Sequence, residues 1–335
     1  MKTETELEDA LTRPRPVLVE FIRSLQDPLV ILGAGGKMGP TLAVLARRAA
    51  DAAGHRLRIV AVSRFSDELA KARLEKAGVE TYEADLLERD AFKRLPDSSN
   101  VIYLVGLKFG TAQNPALTWV INTLVPAYAV ERYPNAQMVA LSTGNVYPLV
   151  PVKSGGATEE YPLTPLGEYA NAAVARERVF EYCGQKHKTA VIRIRLNYAV
   201  ELRYGVLVDL ARRVWPDEAV DLSNGYLNCI WQGDANEMIL RSLALEPGPW
   251  NLTGTGVVSV RDVAERFGKI FEKGVRFVSQ ESDTALLNDS AKICKRLGTP
   301  PTSLQTMIGW IAHWMRNGGR YLGKPTHFEV RDGSY

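Results

Sequence analysis

The sequence predicts an α/β protein with a doubly wound parallel sheet and a smaller C-terminal lobe. From Pro28 to Asn197, short β-branched apolar runs alternate with longer segments of helical period, which is the pattern of parallel strands joined by crossover helices. The chain has 335 residues, more than the roughly 250–300 at which a single hydrophobic core stops growing. A sheet domain with a second, smaller unit therefore accounts for the length.

Six runs in the first part of the chain are predicted strands. They are residues 28–33, 57–63, 79–84, 100–106, 136–143 and 189–196, and helical patterns lie between them at 38–53, 67–77, 114–132 and 166–186. Ahead of the first strand, Val17 to Leu25 has the period of a short amphipathic helix. Met1 to Pro16 is predicted to be a polar lead-in that frays and carries no chemistry.

Composition excludes several classes of partner. With 41 basic and 38 acidic residues, the chain lacks the electrostatic footprint of a protein that binds nucleic acid or an anionic membrane. Cys183, Cys229 and Cys294 are an odd, widely spaced set, and the four histidines show no ligand spacing, so we expect neither disulfides nor a metal site. The first residues lack a signal-peptide pattern, and no apolar run reaches the roughly 18 residues of a bilayer span. We therefore expect a cytoplasmic protein.

A glycine-rich turn follows the first predicted strand. The segment GAGGKMG places Gly33, Gly36 and Gly39, with Lys37 and Met38 between them, where a strand turns into a helix. Glycine permits the tight turn and lets backbone N–H groups approach a pyrophosphate at the helix N-terminus. The turn predicts a Rossmann-type dinucleotide site, and its Gly-x-x-Gly-x-x-Gly spacing resembles the extended and atypical short-chain dehydrogenase/reductase superfamily, which includes the NAD-dependent epimerase/dehydratase family.

Charges near the strand ends bear on the choice of cofactor. Arg64 follows the second strand, where NAD-binding folds place an acidic residue on the ribose 2′-hydroxyl, and a cation there suits a 2′-phosphate. Lys37 adds charge nearby, so NADP is preferred over NAD. The resemblance assigns Asp85 and Leu86 to the adenine and Gly106 to the ribose; Asp85 could instead cap a helix.

The catalytic stretch carries the closest resemblance. LSTGNVYP is similar to the family's "SSxxVYG", which places Thr143 where a hydroxyl orients the reacting oxygen of the substrate. TEEYPLTPLGEYANAAVARE is similar to "TEdxpxxPxsxYgxsKxxxE" and implies that Tyr169 is the catalytic acid/base. WVINTLVPA places Asn122 at the family's helix asparagine, and RIRLNYAV places Asn197 next to the substrate.

One departure from the family is decisive, because its Tyr-x-x-x-Lys reads Tyr169-Ala-Asn-Ala-Ala173. A phenol has a pKa near 10, so holding tyrosinate near neutral pH takes about 3 units, or roughly 4 kcal/mol. A cation about 5 Å away supplies roughly 3 kcal/mol at an effective dielectric near 20. Lys108, beyond the fourth strand, is the favoured substitute, and Arg176 is the other. Alternatively, Tyr169 acts as a neutral acid, or redox catalysis has been lost.

The resemblance implies an NAD(P)-dependent oxidoreductase or epimerase/dehydratase acting on a hydroxyl or keto group of a sugar or sugar-like small molecule. A non-catalytic NAD(P)-binding sensor or scaffold is the alternative. The predicted division is an N-terminal extension over 1–27, the NAD(P)-binding domain over 28–197, and a mainly substrate-binding lobe over 198–335, from which some segments return to the sheet. A homodimer through the helices at 114–132 and 166–186 is also expected, since the family commonly forms one there.

Overall fold

A seven-stranded parallel sheet forms the centre of the computed structural model, which describes residues 1–107, 113–324 and 326–333, and it confirms the predicted fold class. The strands are β1 Leu29–Leu32, β2 Ile59–Ser63, β3 Glu80–Glu83, β4 Asn100–Tyr103, β5 Gln137–Thr143, β6 Ala190–Leu196 and β7 Gly248–Leu252. Their order is β7-β6-β5-β4-β1-β2-β3, with every neighbouring pair parallel. The order therefore reverses between β1 and β4, and ligands bind at such a switch point in open α/β sheets.

Helices cover both faces of the sheet and build the lobe beside it. In the described part of the chain they are α1 Glu4–Thr12, α2 Pro16–Ile22, α3 Gly39–Ala52, α4 Glu68–Lys76, α5 Pro115–Arg132, α6 Gly167–His187, α7 Val206–Val214, α8 Gln232–Arg241, α9 Val260–Phe271, α10 Ala291–Leu297 and α11 Leu304–Arg316. Four pairs of two-residue strands connect loops around the lobe: 150–151 with 284–285, 199–200 with 230–231, 220–221 with 277–278, and 226–227 with 258–259.

The hydrophobic core has a part on each face of the sheet and a third part in the lobe. On one face, α3 and α8 bury Leu42 and Met238 against Ile31. On the other face, Tyr103 of β4 and Phe180 of α6 meet edge to face, with ring centroids 4.9 Å apart. The lobe has its own cluster, built mainly by α7, α9 and α11. The sheet is thus rigidly supported below the edge that carries the site.

The N-terminal lead-in is helical and docked, so the prediction that it frays is wrong. Thr3 and Glu6 form a reciprocal capping box at the start of α1, which satisfies two of the backbone N–H groups left free at a helix N-terminus. Leu7 and Leu11, one turn apart, are buried in the lobe's cluster. Arg203 of the lobe contacts the Glu4 carboxylate at 2.8 Å. Two leucines on one face therefore outweigh the polar composition of this segment.

No helix in the described ranges combines the length and the apolar character that a bilayer span requires.

Candidate active site

The residues predicted to form the site lie at the carboxyl ends of neighbouring strands. Gly33 follows β1, Arg64 follows β2, Gly106 lies beyond β4, and Thr143 ends β5. Asn197 follows β6, whose last residue is in register with Thr143. Because parallel strands end at the same edge of a sheet, these residues share one rim, and the rim spans the switch point between β1 and β4.

The glycine turn packs tightly at two glycines and is open at the third. Gly33 has φ +83°, and a Cβ on it would lie 2.8 Å from the Val105 nitrogen. A Cβ on Gly39 would lie 2.3 Å from the Ala34 carbonyl oxygen, whereas a Cβ on Gly36 would meet only the Gly33 oxygen, at 3.5 Å. Gly33 and Gly39 are therefore fixed by packing. The space at Gly36 fits a pyrophosphate that approaches the backbone at the start of α3.

We expect Gly36→Ala to fold normally and to lose cofactor affinity about tenfold or more, since the new methyl group occupies the space that a pyrophosphate needs. Gly274→Ala is the matched control, because Gly274 also has open surroundings but lies after α9, far along the chain from the turn. Calorimetric titration with NAD and thermal unfolding measure the two effects. Equal cofactor affinity in the two variants would contradict the assignment of Gly36.

The charged residues near the turn point in different directions. Lys37 donates from Nζ to the Ala199 carbonyl at 3.0 Å and lies 3.9 Å from the centre of the Tyr204 ring, so it faces the lobe. Arg64 has a side chain that is 72% exposed, with Nη1 3.9 Å from Asp85 Oδ2. Asp85 Oδ1 also accepts a hydrogen bond from the Leu87 N–H at 3.0 Å. The Asp85 carboxylate therefore stabilises the turn that begins at Asp85, and Arg64 is accessible to an anion.

Thr143 and Tyr169 are placed on either side of a short turn. Thr143 ends β5, where its Oγ1 accepts from the Asn145 N–H at 3.2 Å and donates to Asn145 Oδ1 at 3.1 Å. Tyr169 is the third residue of α6 and is 8% exposed. The α6 helix packs against the turn Gly144–Val146 that follows Thr143. The fold thus packs α6 against the end of β5 and the turn that follows it.

Tyr204 of the lobe is a buried tyrosine close enough to Tyr169 for the two phenols to influence each other. Burial raises the pKa of Tyr204, and the neighbouring Asp209 and Tyr169 raise it further. Tyr204 therefore remains a neutral phenol at physiological pH. Its ring packs against the side chain of Lys37 from the glycine turn.

The position of the family's lysine is apolar in this protein. Ala173 is 1% exposed and packs with Val146, Tyr147 and Val150, so this part of α6 supplies no cation. Lys108, the favoured substitute, lies outside the described residues. The other candidate, Arg176, is 5% exposed on α6.

A buried polar network holds the end of β5 against α6 and β6. Glu177 Oε1 accepts from the Ser142 hydroxyl at 2.6 Å, and Glu177 Oε2 accepts from Arg195 Nη2 at 2.7 Å. Arg195 also donates to the Tyr147 hydroxyl at 2.6 Å, which donates to Asn251 Oδ1 at 2.9 Å. The network therefore fixes Ser142, the residue before Thr143.

Burial and ion pairing shift the pKa values in this network. Burial raises the pKa of Tyr147 to about 12, although the Arg195 charge acts in the opposite direction. Burial alone would lower the pKa of Arg195, but the hydrogen bonds and charge of Glu177 outweigh it and leave the pKa raised. Arg195 therefore stays charged and Tyr147 neutral, so that neither changes its protonation state near neutral pH. The family motif identified Glu177, but nothing in the sequence indicated that Arg195 would be its partner.

Asn197 is buried in the interior of the protein. It is 2% exposed and donates from Nδ2 to Asn228 Oδ1 at 2.9 Å and to the Leu286 carbonyl at 3.3 Å. These bonds commit its amide group to the interior, so its contact with a substrate stays a prediction.

The C-terminal segment 326–333 packs beside Asn145 and the start of α6, which its sequence did not indicate. Thr326 donates to Asp209 through its N–H and its hydroxyl, and the Phe328 carbonyl accepts from Asn224. Gly333 lies directly against Gly167, two residues before Tyr169. A cavity of about 20 Å³ remains between this segment and Asn145, which is room for one water molecule.

Comparison with known proteins places this geometry in a family. The model of the NAD-dependent epimerase/dehydratase family matches residues 29–201, more than half of the chain. A search among curated proteins found no significant match.

Solved structures share the fold at low sequence identity. UDP-glucose 4-epimerase from Thermus thermophilus, in complex with NAD, is 18% identical, with a TM-score of 0.69 over 86% of this chain and 99% of that one. The dTDP-glucose 4,6-dehydratase from Bacillus anthracis, also with NAD, is 13% identical, with a TM-score of 0.72 over 87% and 97%. UDP-glucuronic acid 4-epimerase from Bacillus cereus, with NAD, is 16% identical, with a TM-score of 0.70 over 86% and 98%. Together with the family match, the glycine turn and the α6 tyrosine lead to one conclusion: the chain belongs to the NAD-dependent epimerase/dehydratase family.

Proposed function

We propose that the protein is a nicotinamide-dependent oxidoreductase, epimerase or dehydratase that acts on a hydroxyl or keto group of a sugar-like small molecule. The observation that carries the proposal is the shared rim, where the open Gly36 lies on the same sheet edge as Thr143 and the start of α6 carries Tyr169. One end of the rim suits the pyrophosphate, and the other suits a reacting oxygen.

The proposed chemistry needs a proton acceptor and a group that orients the substrate. A bound nicotinamide supplies hydride transfer to or from the substrate carbon. Tyr169 takes the proton of the substrate hydroxyl on oxidation and returns it on reduction. Thr143 exchanges its hydrogen bond to Asn145 Oδ1 for one to the same substrate oxygen, and the Glu177–Arg195 network holds the neighbouring Ser142.

The substrate class is proposed from the similar structures and the cleft. The three structures described above are enzymes named for UDP-glucose, dTDP-glucose and UDP-glucuronic acid. In this chain the C-terminal segment borders the small cavity beside Asn145. We infer that a smaller sugar derivative would displace less of this segment than a nucleotide-linked sugar would.

Incubation of the purified protein with NAD or NADP and a panel of sugars and nucleotide sugars tests the function. We expect product formation, followed by chromatography and by nicotinamide absorbance. Net change in absorbance identifies an oxidoreductase, and conversion without net change identifies an epimerase or dehydratase. Cofactor binding without turnover of any member of the panel would contradict an enzymatic function on these substrates.

NADP is proposed as the preferred cofactor because Arg64 is exposed beside the ribose position. We expect Arg64→Gln to weaken NADP binding about tenfold and to leave NAD binding nearly unchanged, since a charge-assisted bond to the 2′-phosphate is lost. Arg56→Gln is the control, because Arg56 is also exposed but precedes β2. Tighter binding of NAD than of NADP by the unmodified protein would contradict the preference.

A homodimer is proposed through α5 and α6. These helices pack together and are tied by a hydrogen bond of 2.6 Å from Trp119 Nε1 to Glu168 Oε2. Val120 and Leu124 expose 38% and 44% of their surface on α5, and such apolar surface favours contact with a second copy. Light scattering in solution measures the mass, and the mass of a single chain would contradict the dimer.

A non-catalytic sensor is the second candidate function. The apolar surroundings of Ala173 and the narrow cavity beside Asn145 favour it. A sensor would respond to NAD or NADP with a thermal shift and would show no activity that depends on Tyr169.

A further inference from the structure

The C-terminal segment, residues 326–333, crosses from the lobe to the sheet domain. At its first residue, Thr326 donates to Asp209 of α7 through the backbone N–H at 2.8 Å and through the hydroxyl at 2.6 Å. At its last residue, Gly333 lies against Gly167, the first residue of α6. The segment therefore connects the lobe to the start of the helix that carries Tyr169.

The lobe end of the segment is firmly anchored. Phe328 is 5% exposed and belongs to the lobe's hydrophobic cluster, and its carbonyl accepts from Asn224 Nδ2 at 2.6 Å. Arg331 donates from Nη1 to the Thr284 carbonyl at 2.8 Å and from Nη2 to the Thr284 hydroxyl at 2.7 Å. Release of this end would expose an aromatic ring and break bonds to a charged group, which are stronger than neutral ones.

The contact with α6 is of a different kind. A Cβ on Gly333 would lie 2.8 Å from the Gly167 nitrogen, and a Cβ on Gly167 would lie 2.8 Å from the Gly333 carbonyl carbon. The two backbones therefore touch, and neither glycine has room for a side chain. Among the residues that the structure describes, no hydrogen bond joins Gly333 to α6. The contact is van der Waals packing, which a small gap already weakens.

The segment also forms one wall of the small cavity beside the proposed catalytic threonine. Thr143 donates to Asn145 Oδ1, and the cavity has Asn145 on one side, Asn224 of the lobe on another, and Arg331 and Gly333 of the segment between them. Ligand sites commonly lie where two such units of a protein meet. A substrate that bonds to Thr143 and extends toward the lobe therefore meets this segment.

We propose that the C-terminal segment is a gate that selects substrates by size: it stays anchored to the lobe and admits a nucleotide-linked sugar only when Gly333 is released from α6. This inference rests on the proposed function. The difference between the two ends carries it, because the packed glycine contact separates more readily than the buried phenylalanine and the arginine bonds. A sugar derivative small enough to bind without this release is then the favoured substrate.

The test measures UDP-glucose binding by calorimetry in protein saturated with NAD. Gly333→Ala places a methyl group against the backbone of α6 and should displace the segment. We expect its Kd for UDP-glucose to be about tenfold lower, or more, than that of the unmodified protein, because the open state no longer has to be populated at the expense of binding. Gly323→Ala is the matched control, since Gly323 also has a positive φ, +65° against +81° for Gly333, but a Cβ on it would lie in open space.

A second variant loosens the anchored end of the segment. Arg331→Met removes the bonds to Thr284 and should also lower the Kd for UDP-glucose. Arg266→Met is its control, because Arg266 is exposed on the lobe and its Nη1 donates to Gln305 Oε1 at 3.1 Å, outside the segment. If Gly333→Ala does not fold, the comparison of the two arginine variants decides.

The outcomes separate this inference from the proposed function. Equal affinity of Gly333→Ala and the unmodified protein, including no binding by either, would overturn the gate, as would an equal gain in Gly323→Ala. Weaker binding by Gly333→Ala would also overturn it, because the segment would then be part of the binding surface. Since binding needs no turnover, a gain in affinity without product in the substrate panel supports the gate and rejects the enzyme, whereas product with unchanged affinities does the reverse.

Discussion

Replacing Tyr169 with Phe should lower turnover by about 10²–10⁴-fold and leave cofactor binding intact. The phenol is the group proposed to exchange a proton with the substrate oxygen, and phenylalanine keeps the ring while removing that proton. Because the ring is 8% exposed at the start of α6, the substitution keeps the packing and should not disturb the fold.

Steady-state kinetics and NAD titration measure the two parts of this expectation. Tyr182→Phe is the matched control, since Tyr182 lies on the same helix but is 69% exposed. Activity that survives in Tyr169→Phe would show that another group moves the proton.

Much of the fold follows from local sequence. The predicted strands correspond to β1 to β6, because runs such as LRIVAVS combine β-branched residues with burial on both faces. The predicted helices at 114–132 and 166–186 match α5 and α6 to within one residue at each end, since their apolar residues repeat with the helical period. Local propensity and tertiary burial agree in these segments.

The seventh strand shows where local signals fail. β7 contains Gly248 and Pro249, which argue against a strand, yet it pairs with β6 at the edge of the sheet, with Trp250 in register with Ile194. Proline is tolerated there because an edge strand needs no N–H on its open side. Only the tertiary pairing creates this strand, so short-range pattern could not predict it.

The candidate site divides in the same way. Sequence motifs identified Gly36, Thr143 and Tyr169, because a glycine-rich turn, a strand end and a family motif can all be recognised from the local sequence. The partners of Glu177 and Arg176 depend on how α6 packs against β6 and α5, and nothing in the local sequence indicates such contacts. The electrostatics of the site therefore required the structure.

The Glu177–Arg195 pair leads to the largest expected loss of stability. Both residues are buried, at 3% and 4% exposure. Arg195→Met would leave the Glu177 carboxylate in the interior with the more distant Arg193, whose Nε lies 3.9 Å away and makes no hydrogen bond in the described structure. Breaking a buried pair from one side costs about 3–5 kcal/mol, so we expect the free energy of unfolding to fall by about that amount in urea denaturation. Arg296→Met is the control, because the Arg296–Glu246 pair is exposed and such surface pairs contribute about 0–1 kcal/mol.

A double variant identifies the cause of that loss. If the stranded charge is responsible, Glu177→Gln combined with Arg195→Met should be more stable than Arg195→Met alone, because the amide is easier to bury than the carboxylate. Equal stability of the single and double variants would mean that lost packing and the bonds to Tyr147, rather than the unpaired charge, account for the effect. Ser142 immediately precedes Thr143 and donates a hydrogen bond to Glu177. The same variants should therefore also raise the KM of the substrate, whereas Arg296→Met should not.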